Sequence, residues 1–203
     1  MKPSHIGAII VGFCSLMSFN LFAADIEAGK TKSALCAGCH GQDGNSANAI
    51  WPKLAGQHAS YLVKQLKEFK DGTRADAVMQ GMAATLATEQ DMQDVAAYYE
   101  SQKIKGGAFN KDLVAKGEAI YRGGITETSV PACIACHSPS GDGNGPAAFP
   151  SLKSQFPEYT VAQLQKFKNS SRSNDAGSMM RNVAARMLDS EMEAVAAYLA
   201  GIQ

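Results

Sequence analysis

Apolar side chains recur at helical spacing along most of the chain. In residues 60–70, Leu62, Leu66 and Phe69 lie three or four positions apart with lysines between them, which is the pattern of an amphipathic helix. Similar patterns predict helices over residues 26–39, 89–101, 112–121, 158–168 and 190–200. Asp25 and Thr88 are the expected N-caps of two of these helices. Because no stretch alternates strongly enough between apolar and polar residues to be a strand, the sequence predicts an all-α fold.

These elements occur twice in the same order. The two halves align without gaps at Pro52 and Pro150, Leu54 and Leu152, Gln57 and Gln155, Tyr61 and Tyr159, Gln65 and Gln163, and Phe69 and Phe167. Residues 95–98 and 195–198 both read Val-Ala-Ala-Tyr. Such a repeat indicates a duplicated structural unit.

The repeat predicts two tandem domains, residues 25–104 and 111–203, joined by a linker of residues 105–110. So short a linker favours two domains that dock against each other, here with pseudo-two-fold symmetry. The second copy carries an insertion, residues 123–130, which is expected to be a loop.

Residues 1–24 are expected to be a signal peptide. Lys2 supplies the positive charge, residues 6–19 the apolar segment, and Ala23-Ala24 the small residues at the cleavage site. The alternative is an uncleaved anchor, although the apolar run is short for a membrane span. Cys14 would leave with the signal, and the predicted location of the mature chain is the periplasm.

Charge and composition exclude one class of partner. The 203-residue chain has a formal net charge of zero and a sequence pI of about 6.9, so no nucleic-acid partner is expected. Charged residues make up only 19% of the chain, and glycine and alanine are plentiful. This composition suits short helices around a bulky cofactor.

One pentapeptide pattern, Cys-x-x-Cys-His, carries the candidate chemistry and occurs twice. Its members are Cys36, Cys39 and His40 in the first half, and Cys133, Cys136 and His137 in the second. This is the attachment signature of a c-type haem, in which each thiol adds to one vinyl group of the porphyrin. The following histidine then lies beneath the iron as an axial ligand. The sequence therefore predicts two covalently bound haem c groups.

Other uses of paired cysteines fit less well. Structural zinc usually draws four ligands into one site, whereas almost a hundred residues separate these two pairs. A thioredoxin-like redox pair would accompany a βαβ pattern, and two simple disulfides would leave both histidines without a role.

The ligand on the other side of each iron separates a carrier from a catalyst. Met79 and Met180 follow the motif histidines by 39 and 43 residues and align with each other in the repeat, in what is expected to be a loop. Their neighbours Met82 and Met179 align with valines, and the spare His58 aligns with a phenylalanine. Met79 and Met180 are therefore the expected axial ligands, and His58 is expected at the surface.

Each half resembles a class I cytochrome c, and the tandem chain resembles the dihaem cytochrome c4 family. In class I cytochromes a proline carbonyl accepts the ring N–H of the axial histidine, which implies this role for Pro52 and Pro150. The family also packs a glycine of the first helix against an aromatic residue of the last. The residues that match are Gly29 and Gly117 on the first helices, and Tyr98, Tyr99 and Tyr198 on the last.

The resemblance implies a periplasmic electron carrier of a respiratory chain, not an enzyme. Its expected partners are a cytochrome bc1-type or other periplasmic donor and a terminal oxidase, with peripheral association at the membrane. One alternative is the dihaem cytochrome subunit of a flavocytochrome c sulfide dehydrogenase-type complex. The other is a dihaem peroxidase, which would need one iron with an open position.

Overall fold

The protein is described by a computed structural model over residues 23–202. Apart from Ala23 and Ala24, the predicted signal peptide and its Cys14 lie outside the described residues. Within residues 23–202 there is no β-sheet, only two isolated bridges, so the all-α prediction is confirmed. No helix in this range is both long enough and apolar enough to cross a membrane.

Five α-helices form each half of the described chain. In the N-terminal half they are α1 (Ile26–Lys32), α2 (Ala37–His40), α3 (Ala59–Lys70), α4 (Ala77–Ala84) and α5 (Glu89–Glu100). In the C-terminal half they are α6 (Val114–Gly123), α7 (Ile134–His137), α8 (Pro157–Lys168), α9 (Met179–Ala184) and α10 (Asp189–Gly201). The two sets repeat one order, and the expected caps are present: Asp25 accepts from two N–H groups of α1, and Thr88 forms a capping box with Asp91.

Two helix predictions need correction. The continuous helix over residues 26–39 is wrong, because a 3₁₀ turn, Ser33–Leu35, separates α1 from α2. There the Ser33 hydroxyl donates to the Lys30 carbonyl, 2.9 Å away, a local bond that competes with regular helix. The expected methionine loops are also wrong: Met79 lies in α4 and Met180 in α9. The Asp76 carboxylate caps α4 by accepting from Met79 N–H (3.0 Å).

The first and last helices of each half cross at a glycine. A Cβ added to Gly29 would lie 1.9 Å from the Asp94 carbonyl oxygen of α5, and one on Gly117 would lie 2.0 Å from the Ala194 carbonyl oxygen of α10. The nearest side-chain atom is Cβ of Tyr98 at 3.1 Å in the first case and Cβ of Tyr198 at 2.8 Å in the second. The glycine–aromatic packing implied by the resemblance is thus present, with Tyr98 rather than Tyr99 as the N-terminal aromatic.

Each half has its own hydrophobic core. Leu62, Leu86, Met92, Val95 and Tyr99 are among the buried residues of the first. Tyr121, Phe167, Met187, Met192 and Leu199 are among those of the second. The inserted loop of residues 123–130 is closed by paired hydrogen bonds between Ile125 and Val130.

The two halves dock through reciprocal glutamine hydrogen bonds. The Gln57 side-chain amide accepts a hydrogen bond from the Ser151 N–H (2.9 Å) and donates one to the Ser151 backbone carbonyl (2.8 Å). Gln155, its partner in the repeat, bonds the N–H and carbonyl of Lys53 (both 3.0 Å). The same side chain thus makes the same bonds in each direction, which gives the interface its pseudo-two-fold symmetry.

Two buried arginines extend this interface. Arg74 donates to Tyr159 (3.2 Å) and Gln163 (3.1 Å) of the C-terminal half, and Arg172 donates to Tyr61 (2.9 Å) and Gln65 (3.1 Å) of the N-terminal half. His58 also lies here, and its side chain is 25% exposed, so it is partly at the surface as expected. The ring Nε2 lies 2.6 Å from the Asp142 carbonyl oxygen of the other half.

Candidate functional site

The two Cys-x-x-Cys-His motifs occupy equivalent short helices. Cys36 and Cys133 stand immediately before α2 and α7, and each motif histidine is the last residue of its helix. The amide of His40 donates to the Cys36 carbonyl and that of His137 to the Cys133 carbonyl, both at 2.9 Å. One helical turn therefore holds the cysteine pair and the histidine together. No disulfide joins any two of the four cysteines of the described chain.

Both motif histidines are buried and held by a proline carbonyl. His40 is 6% exposed and His137 is 8% exposed. Their Nδ1 atoms lie 2.9 Å from the Pro52 carbonyl oxygen and 3.0 Å from the Pro150 carbonyl oxygen. Since a carbonyl only accepts, Nδ1 carries the proton and the Nε2 lone pair is left for a ligand.

Burial also sets the charge of these imidazoles. It lowers the pKa of both histidines, and this effect exceeds the opposing effect of the proline carbonyls. The rings are therefore neutral at neutral pH, as iron ligation requires.

The methionines differ from their neighbours in burial. Met79 in α4 is half-buried, whereas Met82 is 37% exposed. Met180 in α9 is half-buried and packs against the C-terminal core, whereas Met179 is 44% exposed. The repeat thus places one sheltered thioether in the equivalent helix of each domain.

Several hydrogen bonds that support the motifs were not predicted from the sequence. The Tyr98 hydroxyl donates to the Gln42 carbonyl (2.9 Å), and the Ser46 hydroxyl donates to the Cys39 carbonyl (3.0 Å). In the second domain the Tyr121 hydroxyl lies 3.1 Å from the His137 carbonyl oxygen and 2.6 Å from that of Ser138. The sequence does single out Tyr98, which belongs to the repeated Val-Ala-Ala-Tyr. Ser46 and Tyr121 have no equivalent in the other copy, so no repeat draws attention to them.

These features fit a covalently held haem in each domain. Each motif supplies two reduced thiols one helical turn apart, and a neutral imidazole with a fixed tautomer beside them. A thioether sulfur is the second ligand type that c-type haem iron commonly takes. A structural zinc site would instead need its ligands drawn together, and no cluster of three or more metal-ligating His, Cys, Asp or Glu side chains occurs in the part of the chain described.

Known proteins show the same organisation. The Cytochrome c family model matches residues 26–103 and again residues 114–203. Cytochrome c4 from Thiocapsa roseopersicina is 48% identical over 180 residues, which cover 88% of this chain and 93% of that protein. The crystal structure of reduced recombinant cytochrome c4 from Pseudomonas stutzeri matches with a TM-score of 0.85 at 41% identity, covering 89% of this chain and 100% of that one.

A relative named for a different role also aligns along most of the chain. It is a thiosulfate dehydrogenase electron acceptor from Stutzerimonas stutzeri (strain A1501), 38% identical over 197 residues, which cover 92% of this chain and 90% of that protein. Taken with the two family-model matches and the duplicated site geometry, these likenesses show that the chain belongs to the cytochrome c4 family of dihaem electron-transfer proteins, with two covalently bound haem c groups.

Proposed function

We propose that the mature chain is a periplasmic electron carrier with two closed, six-coordinate haem sites. The haems are attached at Cys36 and Cys39, and at Cys133 and Cys136. The axial ligands are His40 with Met79, and His137 with Met180. The observation that carries the proposal is the pairing, in both domains, of a buried neutral histidine with a sheltered methionine on an equivalent helix.

The chain's own residues account for carrier chemistry. When bound, each haem supplies an iron that gains and loses one electron. Pro52 and Pro150 hold the histidine rings in one tautomer and orientation, so the imidazole ligand needs no rearrangement between redox states. Methionine sulfur as a ligand favours the reduced state compared with a second histidine. Because Met79 and Met180 fill the remaining positions, small molecules such as peroxide are kept from the iron.

For partners, we propose a bc1-type complex or another periplasmic donor, and a terminal oxidase as acceptor. The near balance of acidic and basic residues in each half means that steering toward these partners depends on local patches rather than net charge.

A second role is favoured by one likeness. The thiosulfate dehydrogenase electron acceptor aligns over 92% of this chain, which supports service to a single periplasmic dehydrogenase. The flavocytochrome c sulfide dehydrogenase-type subunit is the same kind of role, in which the chain would copurify with an enzyme in fixed ratio.

The two roles are separated by kinetics with native partners. The reduced holoprotein is mixed with oxidase-containing membranes of the producing bacterium, and its oxidation is followed by the loss of the reduced haem absorption band. Rapid, saturable oxidation supports the respiratory role. No oxidation by membranes, together with copurification of one dehydrogenase, contradicts it and supports the dedicated role.

A further inference from the structure

Tyrosines at the crossing of the first and last helices differ between the two domains. The alignment of the last helices pairs Tyr99 with Leu199, and the alignment of Gly29 with Gly117 pairs Ser33 with Tyr121. At these two aligned pairs of positions each domain thus has one tyrosine. The last helix contributes it in the N-terminal domain, and the first helix contributes it in the C-terminal domain. All four of these side chains are buried.

The two tyrosine hydroxyls have different surroundings. Tyr121 donates to backbone carbonyls at the end of its haem motif, with Ser138 O at 2.6 Å. Tyr99 is 1% exposed, and its hydroxyl is the one buried side-chain polar atom without a hydrogen-bond partner in residues 23–202. The Ser33 hydroxyl donates to the Lys30 carbonyl and makes no hydrogen bond with Tyr99.

The Tyr99 hydroxyl lies beside the first cysteine of its haem motif. Cys36 packs against the core cluster that contains Tyr99, and the Cys36 side chain contributes, after burial, to the raised pKa of the Tyr99 hydroxyl. A buried hydroxyl without a partner is unfavourable and rare. The orphaned donor beside Cys36 therefore points to an acceptor that the holoprotein supplies at this position.

We propose that the Tyr99 hydroxyl donates a hydrogen bond to the thioether sulfur that Cys36 forms with its haem, and that this bond raises the reduction potential of the N-terminal haem. The inference rests on the proposed attachment of haem at Cys36. A donor to the thioether withdraws electron density from the porphyrin and so stabilises the reduced state; hydrogen bonds around a bound haem are among the means by which proteins set its potential. The C-terminal haem lacks this bond, since Leu199 has no hydroxyl and that of Tyr121 is directed to the backbone.

The test is Tyr99→Phe in the holoprotein, which removes only the hydroxyl. The two potentials are measured by redox titration, with the haem-methyl NMR signals distinguishing the haems. We expect the N-terminal potential to fall and the C-terminal potential to stay unchanged. An N-terminal potential that is unchanged or higher overturns the proposal.

Two matched variants control for loss of a tyrosine hydroxyl in general. Tyr98→Phe removes a neighbouring hydroxyl on α5 that is bonded to the Gln42 carbonyl, and Tyr121→Phe removes the C-terminal hydroxyl. Neither should lower the N-terminal potential as Tyr99→Phe does; an equal fall in Tyr98→Phe contradicts a bond specific to Tyr99.

Two further measurements distinguish other causes of a changed reduction potential. If the methionine-to-iron charge-transfer band of the N-terminal haem is lost in Tyr99→Phe, the residue acts by holding the axial ligand, and the proposal is overturned. Intact mass reports haem attachment independently. A chain without haem at Cys36 refutes the proposed function as well, whereas two attached haems with an unchanged potential refute only the role of Tyr99.

Discussion

At the scale of single residues, the repeat and the burial of the side chains both distinguish Met79 and Met180 from Met82 and Met179. The repeat alignment selects the first pair, and both members are half-buried while their neighbours are exposed. The sequence favours the same pair, because a ligand proposed for both domains would recur at one aligned position. It did not predict the helices that carry the methionines, since segments of eight and six residues are too short to show a clear helical period.

Replacing Met79 or Met180 with alanine should open one haem. Without the thioether the iron becomes high-spin, binds carbon monoxide and has a lower reduction potential. Absorption spectra with and without carbon monoxide measure this. Met82→Ala and Met179→Ala are the controls and should leave both haems low-spin. If Met82→Ala opens the first haem while Met79→Ala does not, the assignment in that domain is wrong.

Asp94 should make the stability of the N-terminal domain depend on pH. This buried carboxylate accepts from Lys32 Nζ (2.6 Å), from the Asp25 N–H (2.9 Å) and from Gln90 (2.8 Å). Burial acts to raise the pKa of Asp94, but these donors outweigh it and the pKa is lowered. A lowered pKa in the folded state stabilises the protein above the unfolded value of about 3.9, and this stability is lost as pH falls through the folded value.

Asp94→Asn should therefore lower the free energy of unfolding at neutral pH by about 1–3 kcal/mol. The difference from the unmodified protein should shrink as pH falls below about 4, because Asp94 takes up a proton first in the unfolded chain and, at lower pH, in the folded protein. Denaturant unfolding at a series of pH values measures this. A difference that stays constant down to the lowest pH would show that the charge of Asp94 is not the cause.

At the scale of elements, the crossings of α1 with α5 and of α6 with α10 depend on glycine. The added Cβ of Gly117→Ala would meet the Ala194 carbonyl oxygen at 2.0 Å, so the two helices would have to separate. We expect a loss of about 3 kcal/mol, as in an overpacked core. Thermal unfolding of the holoprotein measures it.

Gly123→Ala is the matched control in the same helix. A Cβ there has no neighbour within 4 Å, and alanine is the better helix former by roughly 0.5–1 kcal/mol. This variant should be as stable as the unmodified protein or slightly more so. Equal losses in both variants would mean that the close approach at Gly117 is not what matters.

The positions of α3, α5, α8 and α10 were predictable, with ends within one residue of those observed, whereas the break in the first predicted helix was not. The apolar periodicity located α3, α5, α8 and α10 because each buries one face against a core. The break after Lys32 depends on one hydroxyl that bonds its own backbone. A serine carries no sequence signal that separates this bond from an ordinary helical position.

At the scale of the whole molecule, the repeated polar residues define the interface. Gln57, Tyr61 and Gln65 were visible in the sequence as half of an aligned set, but repetition alone does not say which face they occupy. The structure places them against the other half, where Gln57 accepts from the Ser151 N–H, and Tyr61 and Gln65 both accept from Arg172. The contact of His58 with the Asp142 carbonyl oxygen across the interface was likewise not predicted, because the residue aligned with His58 in the repeat is a phenylalanine.

The docked arrangement should depend on the reciprocal glutamines. Replacing both Gln57 and Gln155 with alanine removes four hydrogen bonds to buried or half-buried backbone groups. We expect the two domains to separate more readily while both haems stay bound. Small-angle scattering should then give a larger radius of gyration than for the unmodified holoprotein.

The control for this prediction is Gln165→Ala, which replaces an exposed glutamine on α8 and should leave the scattering curve unchanged. If the double variant scatters like the unmodified protein, the arginine contacts and apolar packing hold the domains together without the glutamines.

The reciprocity of Gln57 and Gln155 also bears on how separate molecules meet. An interface in which each side presents the same bonds is isologous, as in a symmetric dimer, so the N-terminal domain of one molecule could pair with the C-terminal domain of another. The short linker opposes this exchange by giving the two domains of one chain an effective concentration on the order of millimolar. Domain-swapped dimers should therefore appear only when the protein is concentrated toward that range, and cutting the linker should make pairing of the two halves depend on dilution.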